Sequence, residues 1–193
     1  MIDPTHGVEI YWLPLGVRGG WIRIGGQVYE ALSAFVARRA RRDLYHSVLE
    51  VRASGGRFVI EMGPAVDDGL ASRGVVARGV VGVAWAAVLR MFRYEIRCWR
   101  GGTSAFAYAV ESRRLTQEGD VADRVLEIIQ GVPTPLWGRD QLRAGEMWTC
   151  NSVISWLIAR AGLDSVGSLG PPRGGRAPGW HAGLVIGKRS VVP

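Results

Sequence analysis

The sequence predicts an α+β fold, in which an antiparallel sheet is built first and helices pack on it afterwards. Strand-like segments separated by glycine turns occupy most of the first half of the chain. Apart from one short segment near residue 30, apolar residues at helical spacing appear beyond residue 119. Strands that precede helices, instead of alternating with them, are typical of α+β rather than α/β proteins. Because 48% of the 193 residues are hydrophobic, we expect one domain over residues 1–193.

Alternating apolar residues and turn residues predict the strands. A first strand covers Val8 to Leu13, and a glycine hairpin at 53–56 joins a strand at 46–52 to one at 57–62. A short helix is predicted from Glu30 to Arg39, between the first strand and this hairpin. Surface loops are predicted at 67–74 and 101–119. The same alternation predicts further strands at 21–24, 27–29, 75–83 and 92–99.

Two helices and a last strand are predicted in the second half. Asp120 can cap a helix that stops at Gly131, and the apolar stripe of this helix consists of Val121, Val125, Ile128 and Ile129. A second helix begins at Cys150 and ends at Gly162. After a glycine- and proline-rich loop at 167–179, the apolar run 182–186 predicts a final strand.

The net charge of +7 does not by itself predict nucleic-acid binding. Lys188 is the only lysine among 24 basic residues, and this excess of arginine is typical of GC-rich codon usage. The arginines are spread along the chain, apart from one run at 38–42. Residues 1–6 show no signal-peptide pattern, and the longest apolar stretch is too short to span a membrane. We therefore expect a cytoplasmic protein without nucleic-acid partners and without stable membrane insertion.

The two cysteines are predicted to have different roles. Cys98 shares a strand face with Phe92, Tyr94 and Ile96, which indicates a buried core position. Cys150 heads an apolar helix, where unpaired N–H groups favour the thiolate. His46 lies on an earlier strand and is the candidate base.

Glu61 is predicted to orient His46. If Ala53 pairs with Gly56 in the hairpin, Glu61 lies diagonal to His46 on one face of the sheet. If the turn is shifted so that residue 54 pairs with residue 57, Glu61 shares that face too, opposite Glu50. A third group that orients the base is a regular part of cysteine–histidine sites. Glu50, four residues after His46 on the same strand, is the weaker candidate for this role.

These segments resemble a known family. Tyr45-His46-Ser-Val-Leu-Glu-Val with Phe58-Val-Ile-Glu61 is similar to the histidine hairpin of NlpC-like papain-fold enzymes, and Trp148-Thr-Cys150-Asn-Ser-Val resembles their cysteine helix. Cysteine follows histidine here, as in the circularly permuted branch, which includes lecithin-retinol acyltransferase-like enzymes and bacterial amidases and peptidases. The resemblance implies a permuted papain-like fold, with an antiparallel sheet packed against the cysteine-bearing helix.

The resemblance also implies a thiol hydrolase or acyltransferase acting on an amide or ester. The substrate would be a small molecule, a peptide or a lipid-like acyl compound, and no cofactor is expected. Cys150 would be the nucleophile, His46 the base and Glu61 the orienting residue. Backbone N–H groups of Cys150 and Asn151 would stabilise the oxyanion. The choice among amidase, peptidase and acyltransferase remains open, and no oligomeric state is predicted.

Two alternatives stay open at this point. Trp180-His181-Ala-Gly-Leu-Val resembles the histidine strand of the unpermuted enzymes, so His181 is the second candidate base. The chain could also be a non-catalytic binding module that keeps the fold and uses the same cleft. A metal site is not expected, because the three histidines and two cysteines lack zinc-ligand spacing.

Overall fold

A six-stranded antiparallel sheet organises the computed structural model, which describes residues 6–16, 30–31, 33–65, 74–101, 106–165 and 169–189. The strands are β1 (Gly7–Pro14), β2 (Tyr45–Ala53), β3 (Gly56–Pro64), β4 (Val75–Val80), β5 (Arg93–Arg100) and β6 (Glu111–Thr116). Their order across the sheet is β4-β5-β3-β2-β1-β6. The α-helices with assigned bounds are α1 (Gly119–Ile128), α2 (Cys150–Arg160) and α3 (Trp180–Lys188). The predicted α+β class is therefore confirmed.

The hairpin between β2 and β3 has one of the two predicted registers. Ala53 pairs with Gly56, and the ladder continues to the pair between Leu49 and Ile60. Gly56 has φ +112°, a backbone conformation that residues with a Cβ rarely adopt. This register puts Glu61 on the same side of the sheet as His46, as expected from strand alternation.

The helices cover one face of the sheet and create the main core. On this face, Leu49, Ile60 and Ile96 are fully buried against Ile154 and Leu157 of α2. The opposite face carries a smaller cluster, formed by Leu13, Val48 and Val59. Along β2, odd-numbered residues from 49 to 53 therefore belong to the helix face, and even-numbered residues belong to the second face.

The first predicted helix of the second half is confirmed with a different start. Helix α1 has Glu118 as its N-cap residue, and Asp120 lies in the first turn instead. Val125 and Ile129 of the predicted stripe are fully buried. In the earlier segment, residues 30–31 and 33–36 are helical, in agreement with the short helix expected there. The strands expected at 21–24 and 27–29 lie outside the described residues.

Two local predictions are wrong. The loop expected at 101–119 contains β6, an edge strand that pairs with β1 and buries only Leu115 among its six residues. The strand expected at 182–186 is part of α3. Gly179, Gly183 and Gly187, spaced four residues apart, bring this helix against the backbone of α2 and the residues just before it. This close packing against α2 outweighs the strand propensity of the segment, so the segment is helical.

A buried carboxylate ties the segment before β2 to the loop before α3. Glu30 accepts hydrogen bonds from Arg39 Nη1 at 2.6 Å, from the Arg42 backbone N–H at 2.8 Å and from Arg176 Nη1 at 2.9 Å. The Arg39 hydrogen bond is the largest single cause that lowers the pKa of Glu30, to about 2, against the opposing effect of burial. Glu30 therefore stays ionised in the folded protein at any moderately acidic pH.

We expect Glu30→Gln to destabilise the protein in a pH-dependent manner. Because the folded pKa is lower than the ordinary 4.5, the carboxylate contributes stability that is fully present above about pH 4.5 and lost as the pH falls towards about 2. Denaturant unfolding of wild type and variant across this range measures the difference. The gap should be widest near neutral pH and close in acid, and a gap that does not change with pH would contradict this assignment.

Candidate functional site

The sheet opens between β2 and β3 beside the predicted site. Past the pair between Leu49 and Ile60, β3 continues along β5, with Glu61 opposite Arg97. The first part of β2 continues along β1, with His46 opposite Leu13. The edge of β2 that faces β3 therefore presents the backbone groups of Tyr45 and Ser47 to this gap.

Asn151, the second residue of α2, occupies the gap. Its side-chain Oδ1 accepts hydrogen bonds from the Ser47 N–H at 2.8 Å and from Ser47 Oγ at 2.9 Å. Its Nδ2 donates to the Tyr45 carbonyl at 3.0 Å and to the Pro178 carbonyl at 3.1 Å. The amide thus makes the contacts that a neighbouring strand would make, and it bonds the backbone on both sides of His46. Because edge N–H and C=O groups lie in the plane of the sheet, the first turn of α2 enters that plane.

Further polar contacts fix the first turn of α2. Thr149 is the N-cap residue, and its Oγ1 accepts a hydrogen bond from the Asn151 N–H at 3.2 Å and donates to the Pro178 carbonyl at 2.6 Å. Ser152 Oγ accepts from the Thr149 N–H at 2.9 Å and donates to the Gly179 carbonyl at 2.7 Å. Since Thr149, Asn151 and Ser152 are all buried, this network leaves the helix start little freedom.

Cys150 is the first residue of α2, as predicted, and it is a free, partly buried thiol. Burial raises the pKa of this thiol to about 12. Hydrogen bonds from the Asn151 backbone, the Thr149 side chain and the Cys150 backbone act in the opposite direction, whereas the charge of Glu61 raises the pKa further. The direction is opposite to the one expected from the helix terminus alone, because desolvation outweighs the local N–H groups.

Glu61 and His46 lie on the second face of the sheet. Glu61 is only 7% exposed. Its charge raises the pKa of the Cys150 thiol, which indicates that the carboxylate lies near Cys150. His46 has the same strand parity as Val48, which belongs to the second-face cluster, and its side chain is partly buried. Cys150 packs against the helix-side core. Cys150 and the pair His46 and Glu61 therefore belong to opposite faces of the sheet, and the Asn151 amide links the start of α2 to the strand on both sides of His46.

The two weaker candidates have other roles. Glu50 is held by ion pairs with Arg52 and Arg57, and Arg57 Nε donates to it at 2.7 Å. His181 lies in the first turn of α3, not on a strand, and its side chain is exposed. Its backbone N–H donates to Glu146 at 3.1 Å. The similarity to a histidine strand at this position is therefore not structural.

The sequence analysis did not anticipate the contact between the Asn151 side chain and Ser47. One signal was available, because Ser47 occupies a position of β2 that has the same parity as Leu49 and Val51. A fully buried serine at a core-facing position needs a hydrogen-bond partner, and Asn151 supplies it. The sequence did not show which polar residue this partner would be.

The prediction for Cys98 agrees with its position in β5. It is partly buried against the main core, and burial raises the pKa of its thiol to about 11.

The residues described by the structure contain no cluster of histidine, cysteine or carboxylate side chains suited to hold a metal ion. Nor do they include a helix long and apolar enough to cross a membrane. Compared with protein-family models, curated proteins and solved structures, the chain matches none of them.

Proposed function

We propose that the gap between β2 and β3 is a thiol acyl-transfer site on a permuted papain-like fold. The observation that carries this proposal is the Asn151 amide, which fixes the turn bearing Cys150 to the backbone on both sides of His46. The charge of Glu61, which raises the pKa of the Cys150 thiol, is a second support, because a coulombic effect of this kind acts between groups that lie near each other. The substrate is an amide or ester of a small molecule, a peptide or a lipid-like acyl group.

In the proposed reaction, His46 removes the thiol proton as Cys150 Sγ bonds to the substrate carbonyl carbon. The carbonyl electron pair moves to oxygen, and the imidazolium then protonates the leaving nitrogen or oxygen as its bond to carbon breaks. Water or a second nucleophile releases the acyl group from the thioester by the same steps in reverse. In this proposal Glu61 orients the imidazole of His46, the part that a third group takes in cysteine–histidine sites.

The Thr149 side chain changes which backbone N–H group is expected to stabilise the oxyanion. Its Oγ1 already accepts the Asn151 N–H, so this donor is shared. In the proposal, the backbone N–H of Cys150, at the first position of the helix, is the main oxyanion donor. A reducing compartment such as the cytoplasm would keep the Cys150 thiol available for this chemistry.

A second candidate function is a non-catalytic binding module at the same gap. The raised pKa of Cys150 favours it, since a thiol with a pKa of about 12 is protonated at neutral pH. Under acyl transfer, the proton leaves only when the substrate is bound and His46 accepts it. Under the binding alternative, the thiol stays protonated and packs against its ligand.

Covalent trapping separates the two functions. The purified protein is incubated with a panel of activated esters and amides, and intact mass is measured for wild type, Cys150→Ala, His46→Gln and the control Cys98→Ala. Acyl transfer predicts a mass increase in wild type and Cys98→Ala that is absent in Cys150→Ala, and a rate about 10²–10⁴-fold lower in His46→Gln. Equal acylation of Cys150→Ala and wild type would contradict the nucleophile. Saturable binding without acylation would favour the binding module.

Alkylation kinetics test the state of the thiol without substrate. Because the thiolate is the nucleophile, the alkylation rate of Cys150 should rise about tenfold for each pH unit, with no plateau up to its ordinary pKa of about 9. Iodoacetamide labelling of the Cys98→Ala variant, followed by mass spectrometry, isolates Cys150. A plateau near neutral pH would mean that the thiol is activated in the free protein, which would contradict the raised pKa.

A further inference from the structure

The connection between β4 and β5 exposes an unusual number of large apolar side chains. We define the apolar tip as residues 81–92. Trp85 is 75% exposed, Val88 82% and Met91 78%, and Leu89 is half exposed. A monomeric protein seldom presents so many large apolar groups in one short segment unless the segment contacts something else.

The apolar tip has a defined backbone conformation, in which its large apolar side chains point away from the core. Two 3₁₀ turns, Ala84–Val88 and Arg90–Phe92, shape it, with Ala86 buried beneath them. The Gly82 N–H donates to the Trp137 carbonyl at 2.9 Å and anchors the base of the tip. Trp137, itself 39% exposed, adds a second tryptophan beside this base.

The charge around the apolar tip is positive. Residues 80–93 contain Arg90 and Arg93 and no acidic residue. Arg93 Nε donates to the Ala87 carbonyl at 2.6 Å, and Arg139 Nε donates to the Gly82 carbonyl at 3.0 Å. Among the described residues, Arg93 and Arg139 form no ion pair with a carboxylate, in contrast to Arg78 and Arg97 on the strands below. Hydrogen bonds to backbone carbonyl oxygens therefore hold these two guanidinium groups at the tip, and these partners do not neutralise the positive charge.

We propose that the apolar tip inserts into the interface of an anionic lipid bilayer. Tryptophan favours the boundary between headgroups and acyl chains, because its ring is apolar while its N–H can remain hydrated. Valine, leucine and methionine gain by leaving water, and the flanking arginines are attracted to anionic headgroups. This contact is peripheral and does not require any segment to span the membrane.

A lipid surface fits the tip better than a second copy of this chain. In a symmetric contact, two tips would meet through the same surface, and the arginines around each tip would face the arginines of its partner. An anionic bilayer instead offers charge complementarity to Arg93 and Arg139. The inference is independent of the chemistry at Cys150.

Vesicle flotation tests the proposal. Phosphatidylcholine vesicles with and without phosphatidylglycerol are mixed with wild type, the double variant Trp85→Ser/Met91→Ser, and the control Tyr108→Ser, which removes another exposed aromatic ring, 62% exposed. We expect binding that requires phosphatidylglycerol and weakens with salt. The double variant should bind at least about tenfold more weakly, and the control should bind as wild type does. Cys150→Ala should also bind normally.

Tryptophan quenching and circular dichroism complement the flotation measurement. Brominated lipids should quench tryptophan fluorescence in wild type more than in Trp85→Phe, which keeps an apolar ring at the tip. Circular dichroism establishes that each variant is folded. Binding of the double variant equal to that of wild type would overturn the proposal. Self-association that needs no vesicles and is lost in the double variant would overturn it in favour of a second copy.

Discussion

Replacing Gly183 with alanine is expected to lower the free energy of unfolding by about 3 kcal/mol, because it forces α3 away from α2. A Cβ at this position would overlap Ser155 Oγ and the Ser152 carbonyl oxygen. One of these two obstacles is backbone of α2 and cannot rotate aside. Gly187, one turn later, is nearly as tight, because a Cβ there would lie 2.7 Å from the Trp156 carbonyl oxygen.

Denaturant unfolding of Gly183→Ala measures this effect, and Gly131→Ala is its matched control. A Cβ on Gly131 would meet nothing within 4 Å, so that variant should be neutral or slightly stabilised. Removing the Ser155 hydroxyl in the double variant Gly183→Ala/Ser155→Ala should restore only part of the loss, because the Ser152 carbonyl remains in the way. Full rescue would show that the hydroxyl was the only obstacle. A Gly183→Ala protein as stable as wild type would contradict the close helix contact.

The sequence predicts the centre of this sheet better than its edges. The strands that carry Leu49 and Ile60 have continuous buried, mostly apolar runs bounded by a glycine turn, and the turn fixes their register. The edge strand β6 buries only Leu115, and its polar composition is indistinguishable from that of a loop. Helix α3 has the β-branched residues of a strand, and its conformation depends on three glycines whose role appears only when α2 lies against them.

The element that carries each candidate residue was predictable from the sequence, but the geometry around these residues was not. The start of α2 at Cys150 follows from local capping and periodicity, and the shared face of His46 and Glu61 follows from strand parity. The gap between β2 and β3 is a tertiary feature, which no local pattern encodes. The pKa of Cys150 depends on burial, and burial outweighs the local effect of the helix terminus, which the sequence does indicate.

Asn151→Ala is expected to cause the largest loss at the site, about 4 kcal/mol, because it leaves buried backbone groups without partners. The Ser47 N–H and the Tyr45 carbonyl lie at the sheet edge that Asn151 covers, and Asn151 is only 2% exposed. The Pro178 carbonyl would keep its hydrogen bond from Thr149. The loss therefore concerns the attachment of α2 to β2, and less its attachment to the loop before α3.

Unfolding experiments measure that loss, and hydrogen exchange locates it at the Ser47 amide. Ser155→Ala is the control, because Ser155 Oγ donates at 3.0 Å to the Asn151 carbonyl within the same helix, and its removal orphans no group at the sheet edge. We expect the Ser47 amide to exchange faster in Asn151→Ala and at the wild-type rate in the control. If acyl transfer occurs at this gap, a folded Asn151→Ala protein should lose kcat rather than substrate affinity, because α2 no longer holds the proposed nucleophile Cys150 in position. An unchanged exchange rate at Ser47 would contradict the role of Asn151 as the link between helix and strand.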